Sequence, residues 1–254
     1  MIILKSEREI ALMREAGRVV AQAHELVRTL IRPGITTAEL DRRIDELIRS
    51  RGGIPSFKNY PHPAGLQPYP GSSCISVNEE LVHGIPGPRR LQEGDVVSID
   101  IGVILNGYHG DAAWTYAVGS VSDEARRLME VTEQALWAGI EQARDGGHLG
   151  DIGHAVQQVV ESNGFHVVRE YVGHGVGRRM HEEPQIPNYG ERGRGPRLRA
   201  GMTLAVEPMV QVGDWRTRTL SDQWTVISYD RSLAAHFEHT IAITRDGPVL
   251  LTVL

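Results

Sequence analysis

Asp100 stands inside Val-Val-Ser-Ile-Asp-Ile-Gly-Val (96–103), a run that otherwise reads as a buried strand. The same intrusion recurs along the chain. Asp111 opens Asp-Ala-Ala-Trp-Thr-Tyr-Ala-Val (111–118), and His174 sits in Tyr-Val-Gly-His-Gly-Val-Gly (171–177). Glu207 lies in Met-Thr-Leu-Ala-Val-Glu-Pro-Met-Val (202–210), and Glu238 in Phe-Glu-His-Thr-Ile-Ala-Ile (237–243). A carboxylate taken out of water without a partner costs several kcal/mol, so such groups are paired, protonated or bound to metal. No Lys or Arg lies within these runs. Four carboxylates balance the charge of two divalent cations. A mainly oxygen donor set with one imidazole points to a two-metal hydrolase site.

The rest of the chain limits the alternatives. A net charge of −5 and a pI near 6.1 do not describe a nucleic-acid binder by bulk charge. One cysteine, Cys74, excludes an internal disulfide framework and fits a reducing compartment. The opening Met-Ile-Ile-Leu-Lys-Ser-Glu-Arg turns polar too early for a secretory signal. No apolar run approaches the roughly 20 residues of a membrane span. The expectation is a cytoplasmic protein with no membrane contact.

Ser6 with Glu9 forms a capping-box signal, and apolar residues recur at Ile10, Met13, Val20, Val27 and Leu30. A long helix to Arg32-Pro33-Gly34 is predicted. Thr36 with Glu39 repeats the signal ahead of Leu40, Ile44 and Leu47, with a stop at Gly52-Gly53. Residues 54–88 are rich in Pro and Gly and read as loop with short strands. A strand from Val96, a turn at Asn106-Gly107 and a strand from Asp111 follow. Helices are predicted over 122–143 and 151–162, and strands near 165–174, 202–212, 222–229 and 237–244. The halves echo each other: Leu91-Gln-Glu-Gly94 stands six residues before Asp100, and Leu198-Arg-Ala-Gly201 six before Glu207. The pattern predicts an α+β fold in one domain, 1–254, with pseudo-symmetric halves of about 1–120 and 121–254.

If Asn106-Gly107 is a two-residue turn, Asp100 pairs with Ala113, and Asp111 falls on the same face two residues away. Such diagonal neighbours lie roughly 7–8 Å apart, close enough to reach toward common ions. A slip of one residue would put them on opposite faces. Gly173 and Gly175 flank His174 and permit a close backbone approach there. Each residue also has a plainer reading: Asp111 as a turn flank, His174 as a satisfied core histidine, and Glu207 and Glu238 as strand acids on a solvated side.

The runs Ser-Ile-Asp-Ile-Gly (98–102), Gly-Tyr-His-Gly-Asp (107–111), Gly-His-Gly-Val-Gly (173–177), Ala-Val-Glu-Pro (205–208) and Glu-His-Thr (238–240) resemble type I methionine aminopeptidases. So do Cys-Ile-Ser-Val-Asn-Glu (74–79), Val-His-Gly-Ile-Pro (82–86), Met-His-Glu-Glu-Pro (180–184) and 230–238, in order along nearly the whole chain. The resemblance implies the pita-bread fold: duplicated halves, a central curved and mainly antiparallel sheet, and helices outside. Xaa-Pro peptidases of the same fold usually carry an extra N-terminal domain, for which this chain has no room. A non-catalytic binding protein of this fold is expected to have lost metal ligands, and here none of the five is lost.

Site roles follow from the resemblance residue by residue. Asp111 and Glu238 would bridge two divalent ions, His174 and Glu207 would complete one, and Asp100 would bind the other. The metal could be Co, Mn, Fe or Zn. Glu207 would shuttle a proton, His181 would donate to the developing oxyanion, and His83 would contact the scissile amide. Tyr69, Cys74, Met180, Trp224 and Phe237 would wall a pocket for a linear thioether side chain. Met180 and Leu66 stand where aromatics are common in the family. The implied activity is removal of the initiator methionine from nascent polypeptide N-termini when the second residue is small. A monomer is expected. The basic stretch Arg192–Arg199 offers a contact to the ribosome surface, against the plainer reading of a solvated loop. The remaining histidines, His236 among them, carry no expected role.

Overall fold

The computed structural model describes residues 1–254. Helix α1 (Glu7–Leu30) starts at the expected capping box: the Ser6 side chain accepts the Glu9 N–H, and Glu9 Oε2 accepts the Ser6 N–H at 2.9 Å. It buries Met13, Val20 and Val27, while Ile10 and Leu30 are half-buried at its margins. Helix α2 (Thr37–Ser50) is capped by Thr36 and buries Leu40, Ile44 and Ile48. Both helices pack on one face of the long hairpin β4 (Val96–Leu105) and β5 (Tyr108–Ala117).

Before that hairpin come only short strands, β1 (Ile54–Pro55), β2 (Cys74–Val77) and β3 (Glu80–Val82), as the Pro and Gly content predicts. Asn106 and Gly107 both have positive φ, at 53° and 78°, which is the two-residue hairpin geometry. The ladder is unbroken, and Asp100 faces Ala113 in the predicted register. β5 begins at Tyr108 rather than Asp111, so Asp111 sits inside the ladder opposite Gly102. Val97, Ile99, Ile101 and Val103 join the cluster under α1 and α2. The alternate positions Ser98, Asp100 and Gly102 face the other way. Of these, Asp100 lines the cavity described below.

Helix α3 (Asp123–Gln142) is capped by Ser122. Helix α4 (Leu149–Ser162) starts two residues before the expected Asp151, because the Asp151 carboxylate caps it by accepting the His148 N–H at 2.8 Å. The strands that follow are shorter and more numerous than the sequence predicts. They are β6 (His166–Val167), β7 (Gly173–Gly175), β8 (Glu182–Ile186), β9 (Thr203–Val206), β10 (Met209–Gln211), β11 (Thr217–Thr219), β12 (Val226–Ser228), β13 (Ala234–His236), β14 (His239–Thr244) and β15 (Gly247–Leu250). One predicted strand divides into β9 and β10 around Glu207-Pro208, where proline has no N–H for the ladder. Every strand pair is antiparallel, and the largest sheet runs β15-β14-β9-β7-β8. The fold is the mixed helix and antiparallel-sheet architecture expected.

The echo between the halves extends to backbone geometry. Gly94 and Gly201, each ahead of an acid-bearing strand, have φ of 92° and 94°. Gly52 and Gly164, each closing the second helix of its half, have φ of 76° and 79°.

Candidate active site

Five short pieces of backbone aim polar side chains into one cavity of about 470 Å³. β4 and β5 supply Asp100 and Asp111, and β7 supplies His174. The break after β9 supplies Glu207, and the link from β13 to β14 supplies Glu238. All five expected acids and imidazole therefore meet. The glycines beside His174 have a packing cause. A Cβ on Gly173 would lie 2.4 Å from the Ala205 carbonyl oxygen, and one on Gly175 would lie 2.2 Å from that of Glu183. Neighbouring strands, not a ligand, occupy that space.

The backbone around the acids is tied down. The Glu238 N–H donates to the Ala113 carbonyl at 2.8 Å, tying the link between β13 and β14 to the hairpin. The Asn188 side-chain amide donates to the Glu207 carbonyl at 3.1 Å. Ser98 Oγ and Thr115 Oγ1 lie 2.9 Å apart, and Thr115 Oγ1 donates to the His236 carbonyl at 2.7 Å.

The side chains face one another without partners. His174 Nδ1 lies 2.9 Å from the Gly175 carbonyl, which can only accept, so Nδ1 holds the proton. Its bare Nε2 then points at Glu207 Oε1 at 3.4 Å and Asp111 Oδ2 at 3.8 Å. Asp100 Oδ1, Asp111 Oδ1, Glu238 Oε1 and His236 Nε2 are buried with no hydrogen-bond partner. Burial pushes the Asp100 carboxyl up to about 7. Burial also drives Asp111, Glu207 and Glu238 well above the carboxylate range, with the neighbouring acids adding to Asp111 and Glu238. Burial pulls the His174 imidazole down to about 3. These are acceptors facing acceptors, each disfavouring the other's charge. A cation resolves every one of these conflicts, so the donor set fits divalent metal. Two ligand groupings lie within metal-binding reach: Asp111, His174 and Glu238, and Glu207, His236 and Glu238.

His236, without an expected role from the sequence, also lines the cavity. Its Nε2 lies 3.6 Å from Glu207 Oε2 and 3.9 Å from Glu238 Oε2. Period-two alternation in Ala-His-Phe-Glu puts His236 and Glu238 on one side and Phe237 on the other. That alternation was available in the sequence. It also corrects Phe237, which is absent from the cavity wall and packs edge-on against Trp114 with ring centroids 5.2 Å apart.

Tyr69, Cys74, Met180 and Trp224 do line the cavity, joined by Phe57 and Tyr60. Tyr69, Cys74, Met180 and Phe57 form a buried apolar cluster of their own at its inner end. Burial pushes the Cys74 thiol well up, so it is an inert wall. His181 stands at the mouth, its ring 4.3 Å from that of His174. Its Nδ1 lies 2.6 Å from the Tyr60 hydroxyl. His83 lines the opposite wall with a positive φ of 59°, unusual for a residue with a side chain. Burial lowers its imidazole to about 4. Leu66 lies outside the cavity wall and is solvent-exposed. Tyr60, in a segment without periodicity, gave no sequence signal.

Comparison with known proteins agrees with this geometry. The chain is 56% identical over 252 residues to methionine aminopeptidase 1 of Bacillus subtilis, with 99% of each chain covered. It is 52% identical to a methionine aminopeptidase of Clostridium perfringens over 100% of both chains. The crystal structure of a methionine aminopeptidase from Thermotoga maritima superposes with a TM-score of 0.96 at 47% identity, covering 100% of both chains. A prolidase from Pyrococcus furiosus shares the fold alone, with a TM-score of 0.78 at 24% identity, this chain covering 66% of it. The sequence pattern of metallopeptidase family M24 matches residues 11–245, and the chain belongs to that family.

Proposed function

We propose that the chain is a methionyl aminopeptidase, which removes the initiator methionine from nascent polypeptides whose second residue is small. The observation that carries this reading is the juxtaposition of a buried, unpartnered acid cluster with an inner apolar pocket built from Phe57, Tyr69, Cys74 and Met180. Asp111 and Glu238 would bridge two divalent ions, His174 and Glu207 would complete one, and Asp100 would hold the other. Bound there, such ions supply acidified water at neutral pH and polarise the first peptide carbonyl.

The protein's own groups do the rest. Glu207 lines the cavity with its side chain largely enclosed and carries a proton toward the leaving amine. With the Tyr60 hydroxyl donating to Nδ1, His181 Nε2 carries its proton into the cavity and donates to the developing oxyanion. His83 contacts the scissile amide from the other wall. Cys74, Met180 and Tyr69 exclude water around the thioether. His236 Nε2 faces Glu207 and Glu238 without a hydrogen bond to either and would be a further donor to an ion held there.

The single family pattern over residues 11–245 and the matched glycine geometry support one catalytic domain with halves of about 1–120 and 121–254. No helix is long and apolar enough to cross a membrane. The protein works in the cytoplasm as a monomer. The exposed loop with Arg192, Arg194, Arg197 and Arg199 is available to ribosomal RNA.

The test is hydrolysis of Met-Ala-Ser and Ala-Pro-Ala by anaerobically purified protein loaded in turn with Fe(II), Mn(II), Co(II) and Zn(II). Methionine release from the first peptide alone is expected. Cleavage of the second alone would replace this reading with an Xaa-Pro peptidase.

A further inference from the structure

The eight residues Pro61-His62-Pro63-Ala64-Gly65-Leu66-Gln67-Pro68 carry no helix or strand, yet their shape is closely held. The neck of the loop is closed by two backbone bonds. The Asn59 N–H donates to the Tyr69 carbonyl at 2.9 Å, and the Tyr69 N–H to the Tyr60 carbonyl at 3.0 Å. Inside the loop, the Gly65 N–H donates to the His62 carbonyl at 2.9 Å and the Ala64 N–H to His62 Nδ1 at 3.1 Å. Three prolines fix φ at their positions and leave no N–H to satisfy.

The loop is clipped to Gln223 and Trp224, and Trp224 lines the cavity. Trp224 Nε1–H donates to the Gln67 carbonyl at 2.9 Å. The His62 ring meets the Trp224 ring edge-on, with centroids 4.8 Å apart. Because Ala64 occupies Nδ1, His62 Nε2 holds the proton and donates to the Gln223 carbonyl at 3.1 Å. Trp224 in turn meets Tyr69 edge-on at 5.3 Å and His83 at 6.3 Å. One continuous contact therefore runs from the loop to the catalytic wall.

Among the residues that line the cavity, only Pro63, Glu170, His181 and Gln185 are exposed, so they mark its mouth. The first side chain of a peptide fills the inner apolar end, and the chain that follows must leave past these four. Pro63 stands on that path, backed by His62 and Trp224.

We infer that loop 61–68 is a specificity-determining rim, in which Pro63 limits the size of the second side chain on the leaving side of the scissile bond. This rests on the aminopeptidase reading above. Residues 61–68 include no acid, lysine or arginine and the neck of the loop is closed, so the rim acts by exclusion rather than attraction. Hydrophobic contacts discriminate by about tenfold for each methylene or two that is refused, which sets the expected scale.

The experiment compares kcat/KM for Met-Gly-Ser, Met-Ala-Ser, Met-Val-Ser and Met-Leu-Ser in four proteins. They are the wild type, Pro63→Ala, His62→Ala, and a chain in which Asn-Gly replaces residues 61–68 across the closed neck. The ratio of the Val to the Gly peptide should rise by about tenfold in the shortened loop and by a smaller factor in both point variants. An unchanged ratio, or an equal loss on every peptide, overturns the rim. If the shortened chain does not melt cooperatively, the two point variants decide. No methionine release by the wild type removes the aminopeptidase reading and the rim with it. Release by the wild type with an unchanged ratio in the variants removes the rim alone.

Discussion

Thr240 holds the backbone of Asp111 from both sides: its Oγ1 accepts the Asp111 N–H at 3.1 Å and donates to the Asp111 carbonyl at 2.8 Å. A single hydroxyl on β14 thus fixes the position of an acid on β5.

Thr240→Val keeps the shape and removes both bonds. Two buried backbone groups are left unmatched, so the fold should lose about 2–4 kcal/mol in urea unfolding. Thr240→Ser keeps the hydroxyl and should retain most of the stability. Equal losses in the two variants would show that the methyl, not the hydroxyl, matters.

Metal should stabilise the fold as well as activate it. Ions bound at a hundred times their Kd contribute about 2.7 kcal/mol, a rise in Tm of about 5–10 °C for a chain of this size. Chelator should reverse the rise. A melting curve that ignores Mn(II), Co(II) and EDTA alike would argue against the cage.

Lys5 and Glu182 form a buried ion pair, with Nζ 2.6 Å from Oε2 and both side chains almost wholly enclosed. Glu182 neighbours His181 and also accepts the Arg179 N–H at 3.1 Å. Lys5→Met leaves the carboxylate uncompensated and should destabilise by about 3–5 kcal/mol. Lys5→Met with Glu182→Met should recover much of that loss. A double variant no more stable than Lys5→Met would contradict the pairing.

His24, outside the catalytic cluster, contributes to acid sensitivity. Burial pulls the His24 imidazole from its ordinary 6.5 down to about 4, so the folded state favours its neutral form. The unfolded chain binds that proton first. The stability from this group is therefore complete above about pH 6.5 and lost as pH falls toward 4, an effect on the order of 3 kcal/mol. The stability gap between wild type and His24→Gln should narrow by that order between pH 7 and 4.5. A constant gap would assign the acid sensitivity elsewhere.

The hairpin was the most legible part of the fold. Asn106-Gly107 has one favoured turn geometry, and a period of two then fixes which face Asp100 and Asp111 share. The helices were legible because caps and apolar spacing agree; only α4 began early, since Asp151 acts as a cap from inside the helix. The short strands β8, β11, β13 and β15 were missed because they are three to five residues of ladder, with little pattern of their own. In the site, the five candidate metal ligands stood out as polar groups in apolar runs. His236 shares that setting but was masked by its neighbour Phe237, which the resemblance had assigned to the pocket. Tyr60 and loop 61–68 depend on contacts with Trp224 and His181, far along the chain, and nothing local marks them.

The most direct measurement is the number of divalent ions bound per folded chain, by anaerobic titration calorimetry with Mn(II) or Co(II). Two per chain are expected in the wild type, with fewer in Asp111→Asn and Glu238→Gln. In the same variants methionine release should fall more than about a hundredfold, beyond what partners outside a metal's own ligands carry. A folded wild type that takes up no ion, or either variant with full stoichiometry and normal turnover, would contradict the cage.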